Sequence, residues 1–221
     1  MTVDAPTHAT WLRFLAVAVL LIIAAHLVDR WAYEHIVLEN TYGEDWGRTL
    51  RVQGFWPLWL LAATALVLND WHRRVAGALY PAIMRGWLLI ASATSAGIAG
   101  EILKLLLRRE RPRAHAGEYV FRSFSERTFS SGGLALPSGH AIVAFGAACM
   151  LARLFPRAWP VWYLLAAGCG LTRVLDRAHF VSDVVVAALV AWAIAAWLWT
   201  RHRRRIERVA MAVAGPGSPA G

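Results

Sequence analysis

Apolar residues along the chain fall into six stretches, separated by segments rich in charged residues and tryptophan. A membrane-spanning helix needs about 20 apolar residues, and several stretches are shorter because charged residues lie just inside their ends. Arginine side chains that reach the membrane interface, together with flanking tryptophans, make up the missing length. The pattern predicts an all-α integral membrane protein with six transmembrane helices. The stretches are 11–28, 55–68, 87–107, 141–155, 159–175 and 181–199.

The composition favours the same class of protein. Hydrophobic residues make up 58% of the 221 residues and charged residues 17%, against about 45–50% and 25% in soluble domains. This excludes a disordered or fibrous chain and argues against a soluble globule. A formal net charge of +9 fits nucleic acid, anionic lipid or a phosphorylated substrate. The apolar excess favours lipid, so we expect contact with the bilayer and no nucleic-acid partner.

The chain is predicted to form one domain, residues 1–213, followed by a disordered tail rich in Gly, Pro and Ala, residues 214–221. The first stretch resembles a signal peptide, since Arg13 precedes an apolar run. Its flanks lack a charged start and a clean cleavage site, which favours a retained helix. The basic residues between Arg201 and Arg208 and the acidic first loop favour an orientation with both termini inside. The protein is then a multi-pass protein of the inner membrane.

Lys104 is the only lysine among 23 basic residues and lies within an apolar run. An ionisable side chain in such a run is a candidate functional residue. The alternative is an ion pair with Glu101, three residues earlier on the same helix face. Arg111 follows seven residues later, two helical turns on or just past the helix end, because Pro112 disfavours helix at Arg111. Both cations are thus expected to point to one place.

The sequence Pro137-Ser138-Gly139-His140 stands directly before the fourth apolar stretch. Proline is favourable at a helix start, and the following backbone N–H groups would face an anion there. Gly139 allows a close approach of the backbone to a ligand. The alternative is an ordinary helix start that carries an interfacial histidine.

A third group of residues lies between the end of the fifth stretch and the start of the sixth: Arg173, His179 and Asp183. His179 and Asp183 are four residues apart, so on a helix they would face the same side, with Asp183 orienting the imidazole. The alternative is a helix-start aspartate with a nearby histidine. The six-helix alternation places all three groups on one side of the membrane. An anion cradle, an oriented nucleophile and a separate acid are what phosphoryl transfer requires.

These residues resemble the three-part signature of the type 2 phosphatidic acid phosphatase superfamily. The signature is met by Lys104 with Arg111-Pro112, by Pro137 to His140, and by Arg173 with His179 and Asp183, with Thr172 where the family usually has serine. The resemblance implies that His179 is the nucleophile, that Asp183 orients it and that His140 is the acid and then the base. It implies phosphoryl binding by Lys104, Arg111, Ser138, Gly139 and Arg173.

The resemblance implies a membrane lipid phosphatase that acts through a phosphohistidine. The sequence has no Asp/Glu/His cluster suited to a metal, so we expect no metal or other cofactor. The substrate class includes undecaprenyl pyrophosphate, phosphatidylglycerol phosphate, phosphatidic acid and a lipid A phosphate. The alternatives are a vanadate-dependent haloperoxidase and a non-catalytic phospholipid-binding or transport protein. Six arginines outside the motifs form a basic funnel or are simply solvated: Arg108, Arg109, Arg113, Arg122, Arg127 and Arg177.

Overall fold

The computed structural model describes residues 8–38, 40–72 and 79–214, which form seven α-helices. Two short 3-10 helices, Pro112–Ala114 and Pro156–Ala158, and two isolated β-bridges are the remaining regular features of these residues. The predicted all-α fold is confirmed. Residues 215–221 of the predicted tail lie outside the described residues. The helices are α1 His8–His35, α2 Asp45–Val52, α3 Trp56–His72, α4 Leu79–Leu107, α5 Gly139–Leu154, α6 Trp159–Leu175 and α7 Val181–Ala214.

Each predicted apolar stretch lies in one of the six longer helices, and α2 is an additional helix in the first loop. This short polar helix packs against α6, where a Cβ at Gly168 would lie 2.8 Å from Leu50 Cδ2. Only a glycine fits at this contact without displacing the leucine. The contact holds α2 against the carboxyl-terminal half of α6.

Within the described residues, three helices are long and apolar enough to cross a membrane, in the segments Trp11–His35, Ile83–Leu107 and Val181–His202. The pair α2 and α3 makes a fourth candidate if it is one span bent by 64°. With 16 and 17 residues, α5 and α6 are about 24 and 26 Å long, shorter than a hydrocarbon core of about 30 Å. A membrane all-α fold fits the structure, whereas six complete spans stays a prediction.

The central helix of the bundle is α5, in which ten of 16 residues are buried. It packs against α4, α6 and α7. Gly146 allows the approach to α4, since a Cβ there would lie 2.9 Å from Ala96 Cβ, and Ser92 Oγ donates a 2.7 Å hydrogen bond to the Gly146 carbonyl oxygen. Small residues at such contacts are typical of helix packing in membranes. Because α5 is enclosed by its neighbours, its first residues have a fixed position.

The outer surface of α1 is strongly apolar. Leu12, Leu20 and Leu27 are about two-thirds exposed or more. Six further large aliphatic residues of this helix are also exposed: Leu15, Val17, Val19, Leu21, Ile23 and Val28. A continuous exposed apolar face of this size marks a surface that contacts something other than water. Together with the length and composition of α1, it indicates contact with lipid.

Candidate active site

The three sequence motifs meet at one end of the helix bundle. The N–H of Ser138, which precedes α5, donates to the carbonyl oxygen of Asp183 in α7 at 3.1 Å. The N–H of His179 donates to the carbonyl oxygen of Arg173 in α6 at 3.2 Å. A Cβ at Gly139 would lie only 2.9 Å from Lys104 Nζ in α4. The ends of α4 and α6 and the starts of α5 and α7 therefore surround one small volume.

His179 lies two residues before α7 begins, so it is not on the helix that the sequence predicted for it. The N–H of Phe180 donates to Asp183 Oδ2 at 2.8 Å, which folds the residues before the helix back over Asp183. His179 Nδ1 is 3.5 Å from the same carboxylate oxygen, an ion-pair contact at the outer limit of a hydrogen bond. Both side chains are almost completely buried. This geometry leaves Nε2 as the nitrogen that faces away from Asp183.

Burial lowers the pKa of His179 from its ordinary value, and the Arg173 and Arg111 cations lower it further. Asp183 acts in the opposite direction because its carboxylate stabilises the imidazolium. The direction that prevails is downward. At neutral pH the imidazole of His179 is therefore unprotonated, as a nitrogen nucleophile must be.

His140 is the second residue of α5 and is half-buried. Within the described residues its side chain makes no hydrogen bond, and it interacts electrostatically with Arg173, Arg51 and Lys104. Its backbone is held against the turn before α3, where a Cβ at Gly54 would lie 2.5 Å from His140 Cβ. The two histidines thus share one site but have very different surroundings.

Lys104 forms the expected ion pair with Glu101 and also lies beside the second motif. Its Nζ donates to Glu101 Oε1 at 2.5 Å, and the same Nζ lies beside Gly139 at the start of α5. The lysine is buried, whereas the Glu101 side chain is half exposed. Glu101 is therefore a solvent-facing counterion that leaves Lys104 at the edge of the site.

Several hydrogen-bonding atoms of the motif residues are not used by the chain itself. Arg111 Nε, Arg173 Nε and Ser138 Oγ are buried and have no hydrogen-bond partner among the described residues. Buried donors are normally paired, because an unpaired one costs about 1–3 kcal/mol. Donors of this kind, grouped around His179, suit the oxygens of a phosphoryl group.

The backbone of the second motif differs in part from the prediction. Three free N–H groups were expected at Ser138, Gly139 and His140, but that of Ser138 is already bonded to Asp183. Ser138 is the N-cap residue, so α5 begins at Gly139 and Pro137 lies one residue outside the cap. The first N–H groups inside a helix have no intrahelical acceptor, which leaves those of Gly139 and His140 for an anion. Arg111 follows the end of α4 in an extended conformation.

The sequence analysis missed a buried network behind Asp183. Arg109 donates to Asp183 Oδ1 at 2.5 Å and to Ser182 Oγ at 2.7 Å. Ser182 in turn donates to Asp29 of α1 through its N–H, at 2.9 Å, and through its hydroxyl. Tyr119 also donates to Asp29, at 2.7 Å. A carboxylate near the end of an apolar segment was the available signal for Asp29, whereas nothing distinguished Arg109 from its neighbours.

The arginines outside the motifs are not one group. Arg108 is buried and donates to the carbonyl oxygens of Arg122 at 3.1 Å and Ser123 at 2.7 Å, and also to that of Glu126. Arg109 is buried against Asp183. Neither is solvated nor part of a basic funnel, because both are used inside the fold. Arg113 and Arg127 are exposed.

Tyr42, from the first loop, is a further neighbour that the sequence did not predict. Arg173 donates to its hydroxyl, which donates to the carbonyl oxygen of Thr172 at 3.1 Å. The guanidinium of Arg51 stacks on the tyrosine ring, 4.4 Å from its centroid. The loop before α3 therefore forms one wall of the site. Among the described residues no group of three or more His, Cys, Asp or Glu is placed to hold a metal ion.

An α-helical bundle with an apolar outer surface and a histidine–aspartate pair among arginines and a lysine is typical of membrane-associated proteins with a positively charged site. Within that class, the chain belongs to the PAP2 superfamily, whose family model matches residues 85–207, more than half of its length. The resemblance stated from the motifs is confirmed. α1, α2 and α3 lie outside the matched region.

Two curated proteins are similar to this chain. A protein of Rhizobium johnstonii named lipid A 1-phosphatase is 33% identical over 121 residues, which cover 54% of this chain and 49% of that protein. A protein of the same name from Rhizobium etli is 32% identical over 113 residues, covering 51% and 48%. The chain thus spans about half the length of the curated relatives it matches. No solved structure matches the chain.

Proposed function

We propose that this protein is a membrane-bound lipid phosphatase that transfers the phosphoryl group of its substrate to His179 and then to water. The observation that carries the proposal is the buried His179–Asp183 pair, surrounded by Lys104, Arg111 and Arg173 at one end of the bundle. Membership of the PAP2 superfamily and the names of the two relatives support a phosphatase. The exposed apolar face of α1 supports a substrate that is itself part of a membrane.

In the first step, His179 Nε2 attacks phosphorus and the bond from phosphorus to the lipid oxygen breaks. His140 gives a proton to that oxygen, so that the lipid leaves as an alcohol, or as a monophosphate if the substrate is a diphosphate. In the second step, His140 removes a proton from water, whose oxygen attacks the phosphohistidine and releases inorganic phosphate. Both histidines end the cycle in their starting protonation states.

The charged groups around phosphorus act on the transition state. Lys104, Arg111 and Arg173, the hydroxyl of Ser138 and the N–H groups at the start of α5 bind the equatorial oxygens, on which negative charge is spread. Asp183 holds the imidazole of His179 and stabilises the positive charge that develops on it during attack. No step in this scheme depends on a metal ion.

The names of the relatives favour the phosphate at the 1 position of lipid A as the substrate. The remaining members of the substrate class are undecaprenyl pyrophosphate, phosphatidylglycerol phosphate and phosphatidic acid. A panel of these four lipids in detergent, with inorganic phosphate as the readout, tests the proposal. We expect release from at least one of them and none with His179→Ala, while Arg157→Gln, an exposed arginine beyond the far end of α5, behaves like the unchanged protein.

The same panel separates the two alternative functions. A vanadate-dependent haloperoxidase would oxidise halide with peroxide after vanadate is added, and a non-catalytic lipid-binding protein would bind the lipids without releasing phosphate. Phosphate release that His179→Ala leaves unchanged would also contradict the proposal.

We further propose that the active site lies on the periplasmic side of the inner membrane, with both termini inside. The basic run from Arg201 to Arg208 and the acidic first loop support this orientation. Reporters fused after Ser125 and after Arg208 test it, since only the first should be active outside. Outside activity of the Arg208 fusion would reverse the assignment.

A further inference from the structure

The segment between α4 and α5 encloses a polar cavity of about 460 Å³ beside the candidate active site. Its lining includes four arginines and two glutamates, an excess of two positive charges by subtraction. The residues are Arg111, Arg113, Arg122, Arg127, Glu110 and Glu126. Arg111 belongs to both regions, because it lines this cavity and also acts electrostatically on His179 and Asp183. The cavity therefore begins where the phosphoryl-binding residues end.

The charged side chains that line the cavity differ in the number of hydrogen bonds and ion pairs that they already form within the protein. Arg122 donates to Glu110 Oε1 at 2.7 Å and to the Gly132 carbonyl oxygen at 2.9 Å, so it is committed to the fold. His115 contacts the other oxygen of Glu110 at 2.5 Å. The negative charge of Glu110 is thereby balanced by its partners, and these bonds lower its pKa, which favours the ionised carboxylate. Because Glu110 is paired with Arg122, its charge does not repel an anion in the cavity.

The remaining arginines are available to a ligand. The side chain of Arg127 is exposed and makes neither a hydrogen bond nor an ion pair in the described part of the chain, although its carbonyl oxygen accepts from the Ser130 N–H at 2.9 Å. Arg113 is half exposed, and its nearest carboxylate, on Asp176, is 3.5 Å away. Arg111 Nε is buried and unpartnered within the described residues. Apart from the ion pair between Arg113 and Asp176, these three guanidinium groups thus face one lining carboxylate that has no ion pair among the described residues, that of Glu126.

The position of the segment is fixed by the buried guanidinium of Arg108, which donates to the carbonyl oxygens of Ser123, Glu126 and Thr128. Because the buried side chain of Arg108 binds the backbone on both sides of Arg127, the position of Arg127 at the cavity is fixed. Arginine is the side chain best suited to binding a phosphate through two parallel hydrogen bonds.

We propose that this cavity binds a second phosphate of the substrate, next to the phosphate that is cleaved. The inference rests on the proposed function and, within its substrate class, favours undecaprenyl pyrophosphate, whose two phosphates are neighbours, over the lipid A phosphate that the names of the relatives suggest. A basic funnel would attract any anionic lipid, whereas a binding cavity selects for the second anion. The two possibilities are separated by the ratio of activities on paired substrates.

The test compares dioleoylglycerol pyrophosphate with dioleoyl phosphatidic acid, which share their acyl chains and differ by one phosphate. Phosphate release is measured in detergent for the unchanged protein, Arg127→Gln, Arg113→Gln and the control Arg157→Gln. We expect kcat/KM for the diphosphate, divided by that for the monophosphate, to fall about ten-fold in each cavity variant, through KM, which corresponds to the loss of about one charged hydrogen bond. The ratio should not change in the control. Equal losses on both lipids, or an unchanged ratio in both cavity variants, would overturn the proposal.

A binding measurement tests the second-phosphate site independently of catalytic turnover. Inorganic pyrophosphate should raise the unfolding temperature of the protein in detergent more than orthophosphate does, and Arg127→Gln should remove the difference. If pyrophosphate has no such advantage in the unchanged protein, the cavity proposal fails. If the advantage is present but no lipid releases phosphate, the proposed function fails and the second-phosphate site stands.

Discussion

The two histidines of the candidate site differ in how firmly the protein holds them. His179 lies over Asp183, which is bonded to Arg109, and behind them Ser182 and Asp29 continue the network to α1. His140 is half-buried at the start of α5 and makes no side-chain hydrogen bond among the described residues. The difference matches the two proposed roles. A nucleophile needs one orientation and one protonation state, whereas an acid and base must exchange protons with water and with the lipid oxygen.

The different roles proposed for the two histidines are tested most directly by replacing each of them in turn. An aryl phosphate with an acidic phenol needs no proton on its leaving group, so His140→Ala should still form the phosphoenzyme and should accumulate it. Its turnover should fall about 10²- to 10⁴-fold because general acid–base catalysis of hydrolysis is lost. His179→Ala should form no phosphoenzyme and show no turnover. Acid-quenched burst measurements with labelled phosphate give the result, and a phosphoenzyme in the His179 variant would remove it from the nucleophile role.

The second test concerns the lysine that lies beside the start of α5. Lys104→Ala should lower kcat/KM about 100-fold, since one positioned donor to transition-state charge contributes about 3–4 kcal/mol. Arg157→Ala is the matched control, because it removes an exposed cation from the far end of α5. Arg108 is unsuitable as a control although it is one turn from Lys104, because its removal would release the carbonyl oxygens that it binds. Similar losses of kcat/KM in Lys104→Ala and Arg157→Ala would contradict the proposal that Lys104 binds the phosphoryl group.

The network behind Asp183 can be tested with an isosteric change. Asp29→Asn keeps the shape of the side chain but removes the carboxylate that accepts both hydrogen bonds of Ser182, so Ser182, which itself accepts from Arg109, loses its fixed position. We expect kcat to fall about ten-fold, a loss of about 1.4 kcal/mol, with KM nearly unchanged. Asp45→Asn, on the exposed surface of α2, should have no effect. An unchanged kcat in folded Asp29→Asn would reduce the network to a structural role.

The smallest expected effect is a displacement of the pH profile. Because burial lowers the pKa of His179, its imidazole stays neutral, as attack on phosphorus requires, down to a pH below the ordinary histidine value of about 6.5. Activity is lost as pH falls through the lowered pKa. Arg111→Gln removes one of the cations that lower it, so the acid limb of kcat/KM should move to higher pH. A limb that stays in place would show that the profile reports another group.

The same shift affects stability. The unfolded chain, whose histidine has the ordinary pKa, binds a proton more readily than the folded chain does. The free energy of unfolding therefore decreases as pH falls below about 6.5. His179→Ala should make unfolding in detergent less sensitive to pH between 7 and 5, and an identical dependence in both proteins would contradict the assignment.

The sequence predicted what depends on local pattern and missed what depends on tertiary contact. Apolar runs are sufficient for the six longer helices, and the spacing of Lys104, His140 and His179 from helix ends was sufficient to bring them to one end of the bundle. α2 was missed because a short polar helix has no long apolar run to reveal it. Its position comes from the contact between Leu50 and Gly168.

The arginines show the same limit. In sequence, Arg108, Arg109 and Arg113 are equivalent members of a basic run, but one fixes a loop, one pairs with Asp183 and one is exposed. Which arginine is buried is decided by carbonyl and carboxylate groups that lie up to 74 residues away in the chain. Their separate roles follow only from the folded arrangement.

The bond between Ser182 and Asp29 has a consequence for how this protein can be divided or recombined. The stretch that matches the family model, residues 85–207, contains the proposed histidines but not the carboxylate that completes their support. A fragment limited to this stretch, or a chimera whose first helix lacks this carboxylate, would leave Ser182 without the acceptor of its two hydrogen bonds. The segment that the family model matches is thus shorter than the segment that the proposed active site needs. In a chimera, α1 must be exchanged together with the loop that carries Arg109.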